Sequence, residues 1–197
     1  MVFGFKKTLI SFAFATSLLG CATSPPTHFY TLSNVSSSPA TISNQVDAKS
    51  IKIQIGAISI PEVVDRPQLV ISNPDHRVDI LYQERWSQPL RNEISAAVIS
   101  NLQQLIPGAV ITDSRIKTID ADYRISLDVR KFETTPRATS VAILWKIEGL
   151  KNSKTISQES QATENVEGGG YEQAVAAHSQ ALQKVSKELA KSIKEIY

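Results

Sequence analysis

Alternating hydrophobic and polar residues recur along the chain, and this pattern predicts a protein built largely of β-strands. Residues 51–55 carry isoleucine at each odd position and polar residues between them, as expected for a strand with one buried face. Gly56 interrupts the pattern, and Ile58 and Ile60 continue it at even positions. We therefore expect a β-bulge near Gly56, and we expect Pro61 to end the strand.

Other stretches share this strand-like composition or alternation. They are 28–32, 67–71, 78–82, 109–112, 121–132, 138–150 and 154–166. The last three follow one another through short connections, which predicts an antiparallel meander. Residues 154–166 are the most polar of the three. Polar side chains suit an edge strand because they discourage pairing with other chains.

Two longer segments have the spacing of amphipathic helices. Residues 87–106 and residues 171–196 each place apolar side chains on one stripe, three or four positions apart. The two stripes are Leu90, Ile94, Val98, Leu102 and Leu105, and Val175, His178, Leu182, Val185, Leu189, Ile193 and Ile196. We expect Ser87 to cap the first helix, with Pro89 in its first turn.

The order of strands, helix, strands and helix predicts the α+β class. We expect a single antiparallel or mixed β-sheet with two main helices packed on one face. Hydrophobic residues make up 42% of the sequence, which is enough to form a core. Residues 28–197 fit one domain of ordinary size, and the polar stretch 33–50 predicts a surface loop or a linker.

The N-terminal residues have the three-part layout of a bacterial secretory signal. Two lysines precede an apolar run over 8–19, and Gly20 lies just before Cys21, the one cysteine of the chain. The apolar run is shorter than the ~20 residues that cross a bilayer as a helix. We therefore expect residues 1–20 to be a signal peptide.

Residues 18–21 match a lipobox, the sequence at which bacterial lipoproteins are cleaved and acylated. We expect Cys21 to carry acyl chains, palmitate among them, and 21–27 to form a short tether kept extended by two prolines. An uncleaved signal anchor, or a signal cut elsewhere that leaves a free thiol, is the alternative. Ala22 and Thr23 replace the aspartate that holds such lipoproteins at the inner membrane. By analogy with bacterial lipoproteins, this favours a periplasm-facing position in the outer membrane.

The charge balance argues against a nucleic-acid partner. The full sequence has 21 basic and 19 acidic side chains, and Lys6 and Lys7 are the only charged residues of the expected signal peptide. The mature part therefore carries equal numbers of the two, without the basic excess that nucleic-acid binding requires. A single cysteine also leaves no internal disulfide, although the periplasm would permit one.

Sequence motifs for chemistry are missing. The chain has no nucleophile elbow, no phosphate-binding loop of the Walker type and no zinc-protease motif. The glycine run at 168–170 is better interpreted as a joint before the last helix. Of the three histidines, His28 lies beside the tether and His178 lies on an apolar helix stripe, where a buried structural role is expected. We predict neither an enzyme nor a cofactor.

Acidic residues could in principle form two carboxylate pairs. Asp122 with Asp128, and Glu159 with Glu164, lie on the polar faces of predicted strands, where charges are ordinary. The segment 75–79 contains His76 between two aspartates, and a solvated turn is the better interpretation because no second ligand cluster accompanies it. We therefore predict no metal site.

Two further motifs accompany the lipobox. The first lies over 60–70 and the second over 85–90, where a tryptophan and a proline open the predicted helix. Their distinctive residues are Asp65, Arg66, Pro67, Trp86 and Pro89. With the lipobox and residues 28–32, they resemble the ABC-type transport auxiliary lipoproteins, the PqiC (YmbA) family, over essentially the whole mature chain. Gln88 departs from the acidic residue often found before this proline, so no charged contact is expected there.

The resemblance implies a role in lipid transport between membranes. Members of the family are outer-membrane lipoproteins that face the periplasm and are not enzymes. They work with MCE-domain proteins and a multi-spanning inner-membrane transporter partner, and they support envelope integrity. Some assemble as homo-oligomeric rings on the end of an MCE-protein tube. Asp65, Arg66, Pro67, Trp86 and Pro89 are then structural or partner-facing residues.

Two other function classes stay open at this point. One is a structural or assembly lipoprotein of another envelope complex with no transport role. The other is a lipid-anchored hydrolase, for which no nucleophile and base motif is present. Neighbouring genes for MCE-domain and permease proteins would favour the transport role over the first alternative.

Overall fold

The computed structural model describes residues 25–32, 50–114 and 120–196. The lipobox and most of the polar stretch at 33–50 lie outside these residues. The strands are β1 (His28–Tyr30), β2 (Lys52–Ser59), β3 (Gln68–Ser72), β4 (Val78–Trp86), β5 (Val110–Asp113), β6 (Tyr123–Thr134), β7 (Ala138–Gly149) and β8 (Thr155–Asn165). The helices are α1 (Leu90–Leu105) and α2 (Tyr171–Ile196).

The strands form two sheets, so the predicted α+β class is confirmed but the single sheet was wrong. The large sheet has the order β5-β2-β6-β7-β8, and the small sheet has the order β1-β4-β3. The break follows Pro61, where the chain folds into a turn. The Val64 amide donates to the Pro61 carbonyl at 3.1 Å, and the Arg66 amide donates to the Val64 carbonyl at 2.8 Å. This turn carries the chain out of the large sheet before β3 begins.

The large sheet is mixed. β2 pairs in parallel with both β5 and β6, whereas β6, β7 and β8 form the predicted antiparallel meander. β8 lies at the edge, as its polar residues predicted. The pairing of β2 with β6 changes register between Ile55 and Ile58, which confirms the bulge expected near Gly56.

One face of the large sheet forms the core with both helices. Ile55, Ile125 and Ile147 lie opposite one another across β2, β6 and β7 and are fully buried. α1 packs on β2 and β5, α2 packs on β7 and β8, and the helices contact each other. Trp145 is also fully buried, and its indole nitrogen donates to Ser160 Oγ at 3.0 Å. This pairing removes the cost of an unpaired indole N–H inside the core.

The first helix begins later than the sequence predicted. α1 starts at Leu90, Pro89 occupies the N-cap position, and the expected cap by Ser87 was wrong. Pro89 disfavours helical geometry at the residue before it, and its own ψ of 131° is extended. Its carbonyl accepts the first helical hydrogen bonds, from Asn92 at 2.7 Å and Glu93 at 3.2 Å.

Candidate functional site

The residues of the two sequence motifs meet where the small sheet joins α1. Asp65, Arg66 and Pro67 lie in the turn before β3, and Trp86 ends β4. The Trp86 amide donates to the Pro67 carbonyl at 2.7 Å, which ties the two motifs together. Pro89 then fixes the start of α1. The structure therefore brings all five motif residues into one region.

Trp86 is a core residue of this region. It is 6% exposed, and its ring packs edge-on against Phe132 with the ring centroids 6.0 Å apart. Phe132 stacks in turn on His178, with centroids 4.0 Å apart and nearly parallel planes. The three rings join β4, the end of β6 and α2. The tryptophan of the motif thus holds the small sheet against the rest of the domain.

Asp65 lies at the surface. It forms an ion pair with Arg91 in the first turn of α1, and both side chains are substantially exposed, at 37% and 51%. Exposed ion pairs contribute little because water screens them and the side chains lose rotamer freedom. This pair aligns the turn with the helix but does not carry the stability of the region.

We expect Arg91→Ala to lower the free energy of unfolding by less than about 1 kcal/mol, for this reason. Urea unfolding measures the change. Arg77→Ala, which removes the exposed pair of Arg77 with Asp75 in the β3–β4 turn, is the matched control and should behave alike. A loss several times larger for Arg91→Ala than for the control would show that the motif pair is a structural contact.

Glu93 has a structural role that the sequence did not predict. It is 1% exposed, and its carboxylate accepts hydrogen bonds from Thr31 Oγ1 at 2.8 Å, the Leu32 amide at 3.0 Å and Ser87 Oγ at 2.7 Å. Charge-assisted bonds of this kind are about twice as strong as neutral ones. The carboxylate therefore fastens the end of β1 to α1. The sequence did contain a signal for its burial. Glu93 lies one helical turn before Ala97, on the side of α1 that is otherwise apolar.

A second carboxylate holds the start of β1. Glu84 on β4 accepts a hydrogen bond from the Tyr30 hydroxyl at 2.5 Å and lies 3.1 Å from His28 Nδ1. Burial acts to raise the pKa of Glu84, but the bonds from Tyr30 and His28 outweigh it and hold the pKa below its usual range. Burial, together with the nearby Glu84, raises the pKa of the Tyr30 hydroxyl. The carboxylate is thus kept ionised and bonded to β1.

The carboxylate pairs considered from the sequence have structural partners. Asp122 accepts the Lys52 amide at 2.8 Å and the Lys151 ammonium at 2.8 Å, and these bonds lower its pKa despite partial burial. Asp128 pairs with Arg130 at 2.6 Å. Glu164 pairs with Lys184 at 2.5 Å, whereas Glu159 is exposed on β8. Asp122, Asp128 and Glu164 are thus each engaged by a basic side chain.

Within the part of the chain that the structure describes, no group of three or more His, Cys, Asp or Glu side chains could hold a metal ion. His76 lies in the exposed turn between β3 and β4 at a positive φ of 64°. Neither described helix is long and apolar enough to cross a membrane.

Exposed apolar side chains collect around the small sheet. Phe29 on β1 is 65% exposed and Tyr82 on β4 is 66% exposed, and Val63 before β3 and Val78 at the start of β4 are close to half exposed. Large exposed aromatic residues are typical of surfaces that bind a partner. We call these four residues the apolar rim.

His178 on α2 makes the stability of the domain depend on pH. It is fully buried, Thr134 Oγ1 lies 2.8 Å from its Nε2, and burial lowers its pKa from 6.5 to about 3. Below pH 6.5 the imidazole of His178 is therefore protonated in the unfolded chain but stays neutral in the folded chain, down to about pH 3. The contribution to stability is full above pH 6.5 and is lost as the pH falls towards 3, by about 1.4 kcal/mol per unit.

We expect the free energy of unfolding to fall by about 2 kcal/mol between pH 7.5 and pH 5 through this histidine. Urea midpoints at the two pH values measure the fall. His178→Phe should lose most of it, because phenylalanine keeps the stack on Phe132 without a titrating group. His76→Asn, which removes an exposed histidine, should keep it. An unchanged fall in His178→Phe would rule out this assignment.

One family model matches most of the chain, and solved structures share its fold. The family model described as ABC-type transport auxiliary lipoprotein component matches residues 30–190. A crystal structure of an uncharacterized protein has a TM-score of 0.70 at 16% identity and covers 86% of this chain and 99% of that chain. The crystal structure of protein XCC0632 from Xanthomonas campestris has a TM-score of 0.64 at 16% identity and covers 86% and 100%. These two structures show the shared fold.

A comparison with curated proteins finds no match. The family model nevertheless spans well over half of the sequence, from the last residue of β1 to the last quarter of α2, and includes both motifs. The chain therefore belongs to the ABC-type transport auxiliary lipoprotein family.

Proposed function

We propose that this protein is an outer-membrane lipoprotein subunit of an MCE-type, Pqi-like intermembrane lipid transport system, and that it supports envelope integrity. The observation that carries the proposal is the family match over 30–190, since the family consists of auxiliary components of ABC-type transport. The protein acts by binding rather than by catalysis, and the carboxylates of Glu84, Glu93 and Asp122 serve as structural contacts.

The proposed anchor is acylated Cys21, exposed after removal of a signal peptide at 1–20. Residues 21–27 form the tether, and 28–197 form a periplasmic domain. The contacts of β1 support this arrangement. Glu84 and Glu93 bind the two ends of the strand that follows the tether. A pulling force on the lipid anchor is therefore resisted by β4 and α1. A strand of three residues would otherwise be easily detached.

The proposed partners are an MCE-domain protein, with its inner-membrane transporter partner, and further copies of this chain in a homo-oligomer. The apolar rim is the surface that we assign to these contacts, because it groups exposed aromatic residues beside the anchored strand. The balanced charge of the mature chain supports close packing of identical subunits, since they do not repel strongly.

A deletion strain tests this function. We expect the strain to become sensitive to detergent, and we expect a phospholipid tracer to move more slowly between its membranes. The wild-type chain should restore both, whereas Tyr82→Asp on the apolar rim should not, because a buried charge without a partner opposes docking. Leu150→Asp is the matched control, as Leu150 is 44% exposed in the β7–β8 turn, away from the rim. Equal rescue by both variants would contradict the assignment of the rim.

A further inference from the structure

A groove of about 520 Å³ lies between the small sheet and the start of α2. Its walls come from β3, β4, the β6–β7 turn, the end of β8 and the first turn of α2. The apolar lining residues are Ile71, Leu81, Pro136, Val166, Tyr171 and Ala174. The volume falls within the range of about 300–1,000 Å³ that small-molecule sites occupy. We call it the β4–α2 groove.

The polar side chains in its wall are already paired within the protein, Tyr171 apart. Asn73 Nδ2 donates to Asp79 Oδ2 at 2.8 Å. Thr134 Oγ1 is 2.8 Å from His178 Nε2, and Thr135 Oγ1 donates to a backbone carbonyl at 2.8 Å. A polar ligand would have to compete with these bonds for its partners, at the part-buried Thr134 and Thr135 above all. An apolar chain can fill the same space without breaking them, so the wall chemistry selects an apolar occupant.

The direction of the N-terminal chain indicates which apolar group is nearby. β1 runs parallel to β4 with His28 opposite Glu84, and Thr27 Oγ1 donates to Gln83 Oε1 at 2.9 Å. Going back from β1, the chain therefore follows β4 towards Leu81, one of the lining residues. Four residues lead from Pro25, where the described part begins, to Cys21, a reach of roughly 14 Å at most.

We propose that the β4–α2 groove receives one of the acyl chains carried by Cys21. This inference rests on the lipid anchor of the proposed function. It adds a second binding site for the acyl chain, besides the bilayer. The bilayer and the groove are both apolar, so the acyl chain exchanges between them. The groove would shelter that chain from water whenever the domain leaves the membrane surface, and it would fix how the domain is oriented when the chain is seated.

A photoreactive acyl chain tests the inference on the full-length protein. Cells are fed a palmitate analogue with a diazirine at its terminal carbon, and the lipidated protein is purified into amphipol and irradiated. The diazirine loses N₂, and the carbene inserts into a neighbouring C–H or X–H bond. Peptide mass spectrometry should find adducts in β3–β4 around Ile71 and Leu81, and in the first turn of α2.

Leu81→Gln is expected to lower these adducts about tenfold, because an unpaired amide in the apolar wall weakens seating of the chain. Ile71→Gln serves as a second variant if Leu81→Gln does not fold. Leu144→Gln, which changes a half-buried leucine of β7 outside the groove lining, is the matched control and should keep the wild-type adducts.

The outcomes separate this inference from the anchor itself. If the wild-type protein carries no acyl label, as is expected of Cys21→Ala, both the anchor and the inference are overturned. Labelled protein with adducts only to amphipol, or only to peptides outside the groove, would overturn the inference and leave the anchor intact. If Leu81→Gln instead leaves acyl labelling unchanged but loses a co-purified protein, the groove belongs to that partner and the inference is wrong.

Discussion

Replacing Cys21 by alanine is expected to remove the protein from the outer membrane and to abolish its function. The proposed anchor is the acylated Cys21. One acyl chain alone holds a protein only marginally, whereas two or more anchor it stably, at about 0.8 kcal/mol per buried methylene. Without the cysteine no chain is attached, so the domain becomes soluble or stays at the inner membrane with its signal uncleaved.

Density-gradient fractionation of envelopes measures this change, and the detergent-sensitivity assay shows whether function is lost. Ser24→Ala is the matched control, because it alters the tether but keeps the lipobox. We expect it to fractionate with the outer membrane like the wild type. Recovery of Cys21→Ala in the same membrane fraction as the wild type would refute the anchor.

Glu93→Ala is expected to have the largest effect on the stability of the domain. The substitution leaves the Leu32 amide, Thr31 and Ser87 without their acceptor, and Leu32 is only 4% exposed. Each buried donor left unpaired costs about 1–3 kcal/mol, and the lost desolvation of the carboxylate offsets part of the sum. We expect a loss of about 3 kcal/mol in the free energy of unfolding.

Urea unfolding measures the total loss, and hydrogen exchange of the Leu32 amide reports whether β1 detaches locally. Glu172→Ala is the matched control, since Glu172 is acidic and in the first helical turn of α2 but exposed. Glu172→Ala should lower the free energy of unfolding by less than about 1 kcal/mol. An equally small loss for Glu93→Ala, with slow exchange at Leu32, would show that β1 does not depend on this carboxylate.

The sequence predicted the strands and helices well because their signals are local. The alternation in 51–55 and its change of phase at Gly56 are properties of neighbouring residues, and the bulge follows from them. The stripe of α2 from Val175 to Ile196 is likewise visible in the sequence, and all of its members are buried. Patterns of this kind need no knowledge of the partner segment.

The division into two sheets was missed because strand pairing is not local. β1 pairs with β4, 56 positions away where His28 lies opposite Glu84, and the pattern of three residues in β1 does not identify a partner. The turn after Pro61 was visible, but both a bend within one sheet and a change of sheet begin with such a turn. The choice between them depends on packing against β6 and α2.

The candidate site was predicted only as a set of residues. The motifs at Asp65 and Trp86 were identified, but the bond between Trp86 and Pro67 joins residues from separate segments. Glu93 was missed because its partners Thr31 and Leu32 lie more than 60 positions away. A buried carboxylate is costly unless such partners exist, and a sequence alone does not show them.

The central claim is that this chain is a subunit of an MCE-type transport system, and co-purification from envelopes tests it most directly. The tagged, lipidated wild type is cross-linked in cells, extracted in mild detergent and analysed by mass spectrometry, with Tyr82→Asp in parallel. We expect an MCE-domain protein and a permease to be enriched with the wild type and depleted with the variant. Enrichment of a different envelope complex, with neither protein present, would contradict the claim.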